Sequence, residues 1–307
     1  TTHRVYRQVV LGLARAWYEV GAKLPEEAPE RSVALRKSAT YFRMVPRFTE
    51  DWSDAIFERG WVHFQLNEYG KSLGQMHSLT APYFGSSRQY AEGFILKMIA
   101  YFYNCQFDRA RRTLAEFKAV YDPVVEDLTK FLESKPAEES TAWYYDQLLA
   151  ALKGEDVGLP SLVAGSVAAN NRYQRLSHFL GALEAEQERI KAVDLFKGEL
   201  AGELRTAIEE DRERLLPFMG KLVRAKLKRQ LEVVKGMSSQ ADIIDIQTGL
   251  AEAKWLDQQR EIDSKERKRL PRPFVPSDKF QYWPFHGEYW LDELGFYEYA
   301  VKSECVE

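Results

Sequence analysis

The chain has 307 residues, a formal charge of -3 from 43 basic and 46 acidic side chains, and a mean hydropathy of -0.44. So neutral a balance gives no electrostatic reason to expect nucleic acid or an anionic membrane as partner, and no apolar run approaches the roughly 20 residues that span a bilayer. The length allows a real core without a metal or disulfide staple, and the two cysteines, Cys105 and Cys305, are too few for a disulfide-rich scaffold but could form one long-range bond. Thr1-Thr2-His3-Arg4 shows neither an initiator Met nor a leader, so a mature product or excised fragment is expected.

Aromatic residues are unevenly spread. Of the 40, 21 lie in 1–121, 7 in 122–196, 2 in 197–273 and 10 in 274–307. The third stretch, with only Phe218 and Trp255, is also rich in charge, so it is expected to project from a body built by its aromatic neighbours.

From 1 to 121 apolar residues recur at helical spacing, punctuated by Pro25, Pro29, Pro46, Pro82 and Pro123, and no run alternates long enough for a strand. Segments 55–69 and 93–107 align at a shift of 38 residues. Each gives an apolar helix, a polar corner, an aromatic (Tyr69, Phe107) and a second helix, the order of a tetratricopeptide (TPR) repeat of about 34 residues. Gly60 is the small residue that lets a partner helix approach in one copy, where Met98 stands in the other; Ser72 and Ala110 fill the matching position of the second helices. Pro123 is expected to end the later unit. A divergent unit comes first: 13–21 closes a helix at Gly21, 36–45 forms a second helix ended by Pro46, and an acidic, proline-bearing insertion at 23–30 separates them.

Beyond Pro123, 124–134 and 138–153 read as two helices and 161–170 as a small-residue helix. From 171 to 235 aliphatic residues fall at three-to-four spacing, Pro217 and Gly220 should kink or break the helix, Gly236 is a stop, and 241–263 is helical again. An antiparallel hairpin turning near Gly236 is expected. A basic linker at 265–273 then leads to 280–299, whose aromatics cannot stay solvated and must dock.

The expected fold is therefore all-α: an imperfect TPR-type α-α superhelix over 1–170, a long charged, coiled-coil-like helical hairpin over 171–263, and a linker with an aromatic tail docking on the helical body over 264–307.

The sequence contains no Gly-x-Gly-x-x-Gly, Walker loop, His-Glu-x-x-His or Cys-x-x-Cys, so no catalytic residue, cofactor or metal is assigned. His63 and His77 lie 14 residues apart in different helices, where packed histidines are favoured over metal ligands. The acidic run at Glu209, Glu210, Asp211 and Glu213 reads as a solvated helix face. The basic run from Lys221 to Lys235 complements it or a facing helix, and lacks the interleaved aromatics of a base-stacking surface.

In TPR geometry the first helices line a concave groove. Its positions here are Arg15 and Tyr18, then Phe57, Trp61, Phe64 and Gln65, then Ile95, Phe102 and Tyr103, an apolar and aromatic face suited to a peptide or helix. Two occupants remain open: an external partner, or the chain's own aromatic tail.

Three stretches carry a family resemblance: 51–61 (Asp51 to Trp61), 103–111 (Tyr103 to Arg111) and the tail 287–297 (Gly287 to Tyr297), with the ending Lys302-Ser303-Glu304-Cys305. Over about 40–305 the chain resembles the TPR proteins of the adventurous gliding motility (Agl/Glt) family of myxobacteria and relatives. That resemblance implies a non-enzymatic periplasmic scaffold associated with the outer-membrane side of an envelope complex, binding other proteins of that complex. An adaptor for peptidoglycan or an outer-membrane lipoprotein is the alternative. It also implies an oxidising compartment, in which a bond between Cys105 and Cys305 is one of two open outcomes.

Overall fold

The structure, a computed structural model, describes residues 4–84, 91–134, 142–192, 198–261 and 279–305. Among the described residues all regular secondary structure is helical. The elements are α1 (Arg4–Lys23), α2 (Pro29–Met44), α3 (Trp52–Gln65), α4 (Tyr69–Leu79), α5 (Ala91–Phe102), α6 (Phe107–Glu133), α7 (Trp143–Leu152), α8 (Ser161–Ala168), α9 (Asn171–Ala192) and α10 (Glu199–Glu261). The chain divides into two units, one of Thr1–Gly85, Gln89–Lys118 and Met237–Glu307, the other of Ser86–Arg88 and Ala119–Gly236.

In the first unit helices pack as successive pairs. Pro29 opens α2, where its missing N–H costs no helical bond, and Val10, Leu11 and Ala14 of α1 then pack with Leu35 and Phe42 of α2. The pair closes tightly because its contact residues are small: a Cβ on Gly21 would strike Leu35, and the buried Ser38 hydroxyl donates to the Ala14 carbonyl at 2.8 Å. Gly60 plays the same part between α3 and α4, where a Cβ would collide with Met76. Ser72 and Ala110, the residues at the matching position of the second helices, are buried at 0% and 2% exposure.

The two corners repeat at the 38-residue shift. Asn67 (φ 58°) and Cys105 (φ 55°) are both left-handed. Behind them the Glu68 N–H donates to the His63 carbonyl at 2.9 Å and the Gln106 N–H to the Tyr101 carbonyl at 3.0 Å, the six-residue closure that ends a helix. Asn adopts this conformation readily; a Cys there costs on the order of 1 kcal/mol. Helices α1 and α3, and α3 and α5, also touch directly, so the first helices of the pairs are neighbours.

The second unit has its own core. Val124, Leu128 and Phe131 of α6 join Tyr144 and Leu148 of α7, Val163 and Val167 of α8, Tyr173 and Leu180 of α9, and Met219, Val223 and Leu227 of α10. Beyond it Leu183 and Ile190 of α9 meet Ala201 and Ile208 of α10, the seam of an antiparallel pair.

Three expected breaks are absent. Pro123 lies inside α6 and Pro217 inside α10, and α10 runs unbroken through Gly220 and Gly236. The hairpin arms are α9 and α10, and the connection falls between Ala192 and Glu199 instead of near Gly236. Burial outweighs local propensity in each case. Tyr121 and Leu128 flank Pro123 at 2% and 0% exposure, Met219 and Val223 follow Pro217 at 0%, and Val234 and Ala241 bracket Gly236 at 7% and 0%. The basic linker at 265–273 lies outside the described residues.

Candidate functional site

The face expected to bind a partner is only partly assembled as read. On α1, Arg15 is exposed and clamps Glu58 of α3 through Nε (2.8 Å) and Nη2 (2.5 Å), while Tyr18 is half-buried against the core of the first pair, which pushes its phenol up. On α3, Phe57, Trp61, Phe64 and Gln65 are all partly exposed. Gln65 accepts from Arg31 at 2.5 Å. Trp61 and Phe64 meet edge to face at 5.8 Å, Phe64 meets Tyr103 at 5.7 Å, and Tyr103, 56% exposed, stacks on Tyr69 at 6.1 Å. Phe102 is half-buried and meets Tyr103 edge to face at 5.7 Å. Ile95, at 3% exposure, belongs to the interior, because it lies on the side of α5 turned to its neighbours. The structure thus gathers Trp61, Phe64, Tyr103 and the corner aromatic Tyr69. Burial also pushes the Glu92 carboxyl up from its usual range, an effect the Trp61 indole opposes.

The aromatic tail takes another course, along α4. Gly70, Gly74 and Ser78 fall at four-residue spacing and form a smooth stripe on that helix. The Tyr299 and Tyr297 carbonyls occupy the spaces where Cβ atoms of Gly70 and Gly74 would stand, and the Tyr299 N–H donates to the Gly70 carbonyl at 3.0 Å. The Ser78 hydroxyl accepts from the Gly295 N–H at 2.8 Å. Gln75 donates to the Gly295 carbonyl at 3.1 Å, and Arg59 donates to that same oxygen. Apolar packing follows the same line: Leu294 is buried with Trp52, Ile56 and Ala81, while Tyr299 and Val301 pack on Leu73, Ala100, Tyr101 and Ala110.

His77 sits at the centre of this contact. Phe285, Tyr289, Tyr297 and Tyr299 surround its ring at centroid distances of 4.6 to 5.5 Å, and its Nδ1 lies 3.2 Å from the Tyr299 hydroxyl. Burial, aided by the charge of Lys97, lowers its pKa to about 4. His63, by contrast, pairs with Glu68 at 2.8 Å; that hydrogen bond holds the Glu68 carboxyl down at about 2, whereas burial lowers His63.

The far end of the tail is covalently fixed. Cys105 and Cys305 form a disulfide across 200 residues, the Glu304 N–H donates to the Asn104 carbonyl, Gln106 donates to the Lys302 carbonyl, and the Trp255 indole donates to the Glu304 carbonyl, each at 2.9 Å. Ion pairs Arg111–Glu252 and Lys118–Asp242 bring the end of α10 onto the start of α6 beside it. Sequence reasoning missed Arg59, Gln75 and His77 as tail receptors; the Gly70–Gly74–Ser78 spacing was the cue that could have found them.

No family model matches the chain, and neither the curated proteins nor the solved structures contain a match to it. Among the described residues no helix is long and apolar enough to cross a membrane.

Proposed function

We propose that the chain is a non-enzymatic scaffold whose α1 to α6 act as a TPR-type superhelix, with the face carrying Trp61, Phe64 and Tyr103 receiving a segment of a partner protein. The observation that carries this reading is the course of the tail. Its main chain lies on the α4 stripe, while the aromatic row built on α3 and Tyr103 stays half-buried to exposed. An amphipathic helix or extended peptide with apolar anchors suits such a row. The shared corner geometry at Asn67 and Cys105 supports the repeat reading. The Cys105–Cys305 bond supports an oxidising compartment, in keeping with a periplasmic, outer-membrane-associated place in an envelope complex of the gliding-motility type.

The test is co-purification of the full, disulfide-bonded chain from cross-linked envelopes, before and after murein digestion, beside a Trp61→Ala/Tyr103→Ala variant. Partners kept after digestion and lost in the variant support the scaffold. Association lost on digestion would instead favour an adaptor for peptidoglycan, and partners captured equally by the variant would remove this face from consideration.

A further inference from the structure

Arg59 is 8% exposed, yet its hydrogen bonds go to neutral acceptors: the Gln75 Oε1, at 3.1 Å from Nε and 2.6 Å from Nη2, and the Gly295 carbonyl. A cavity of about 50 Å³ lies beside it, lined also by Arg43, Arg47 and the tail residues Leu294, Gly295 and Phe296. Arg47 reaches the tail through Nη2, which donates to the Leu291 carbonyl at 2.6 Å, and its guanidinium lies against the rings of Trp52 and Phe296. Its Nε is buried with no hydrogen-bond acceptor among the described residues.

Three arginines therefore line one small space, and among the described residues none of them has an ion pair with a carboxylate. The charge of Arg43 adds to burial in lowering the Arg59 pKa, to about 10. A buried cation without a counter-charge is costly, and the planar Arg fork presents several N–H donors suited to an acceptor with several oxygens. The volume exceeds the roughly 10 to 15 Å³ that one water needs, so it admits a small anion but no bulky ester.

We propose that Arg43, Arg47 and Arg59 form a binding site for a small inorganic oxoanion of phosphate size, held between α3 and the tail. The bound anion supplies the counter-charge that Arg59 lacks and takes up the orphan Nε–H of Arg47. Since residues 294–296 form one wall, binding also fastens the tail to the helical body.

The test uses the full, disulfide-bonded chain with inorganic phosphate as probe and sodium chloride at matched ionic strength as control. Phosphate is expected to raise the melting temperature saturably and to slow amide exchange at 293–296. Arg47→Gln should weaken the apparent phosphate affinity at least about tenfold, the loss of one charge-assisted hydrogen bond. Arg43→Gln, at an exposed position, provides a second reading should Arg47→Gln fold poorly. A phosphate response no larger than that of chloride, or one unchanged in the variant that folds, would overturn the proposal.

Discussion

The carbonyl oxygen of Tyr297 fills the space that a side chain on Gly74 would need. The tail main chain thus packs directly on that helix, and the position tolerates no added atom. Gly74→Ala should displace the segment at 295–299 and lower stability by about 1 to 3 kcal/mol, as overpacking does, despite the better helix propensity of alanine. Limited proteolysis should cut within the tail sooner than in the wild type. A variant as stable and as resistant as the wild type would show that this contact does not hold the tail.

The disulfide acts on the unfolded chain. Closing a loop with a sequence separation of 200 residues restricts the denatured ensemble by about 5 kcal/mol in the chain-entropy account, and measured bonds deliver roughly 2 to 4 kcal/mol. Reduction, or Cys305→Ser, should therefore shift the denaturation midpoint by that order. The tail should stay docked at neutral pH through its contacts on α4. Alkylation of unreduced protein that labels two thiols would contradict the bond.

Helix positions in the first unit were legible because burial there follows helical periodicity: 13–21 falls within α1, 36–45 overruns the end of α2 by one residue, and the 38-residue register survives in the Asn67 and Cys105 corners. Pro123, Pro217 and Gly236 misled because a break signal is local, whereas the burial of Leu128, Met219 and Ala241 that overrides it depends on distant residues. The aromatics gave the tail's docking only in part and its track not at all: Tyr289, Tyr297 and Tyr299 are half-buried, whereas Phe280, Tyr282, Trp283, Phe285, Trp290 and Phe296 stay exposed, because the contact is made chiefly by main chain and by Leu294. A stripe of Gly70, Gly74 and Ser78 receives main chain, and apolar patterning does not register such a surface. Ile95 was assigned to the partner face by position within the repeat, and repeat position alone does not distinguish the accessible from the enclosed side of α5.

Acid should loosen the tail through His77. Its pKa is lowered to about 4 in the folded chain, against an ordinary value near 6.5, so below about pH 6.5 the unfolded chain takes up a proton that the folded chain refuses. Its favourable contribution is whole above pH 6.5 and is lost as pH falls toward 4, by about 2 to 3 kcal/mol. Glu68, held down at about 2, adds a loss in the same direction at still lower pH. Comparing denaturation midpoints of wild type and His77→Gln from pH 7 to 4 isolates the histidine. Parallel profiles for the two would contradict the assignment.

Gly236 offers a direct check on the continuity of α10. Nothing lies within 4 Å of a Cβ built there, and its φ is not in the left-handed region. Alanine in a helix interior is more favourable than glycine by about 1 kcal/mol, so Gly236→Ala should stabilise the chain by that order and raise helical circular dichroism slightly. At the corner of a hairpin the same substitution would force alanine into a left-handed conformation and destabilise by a similar amount. The sign of the change in thermal midpoint decides between a helix that passes through residue 236 and one that turns there.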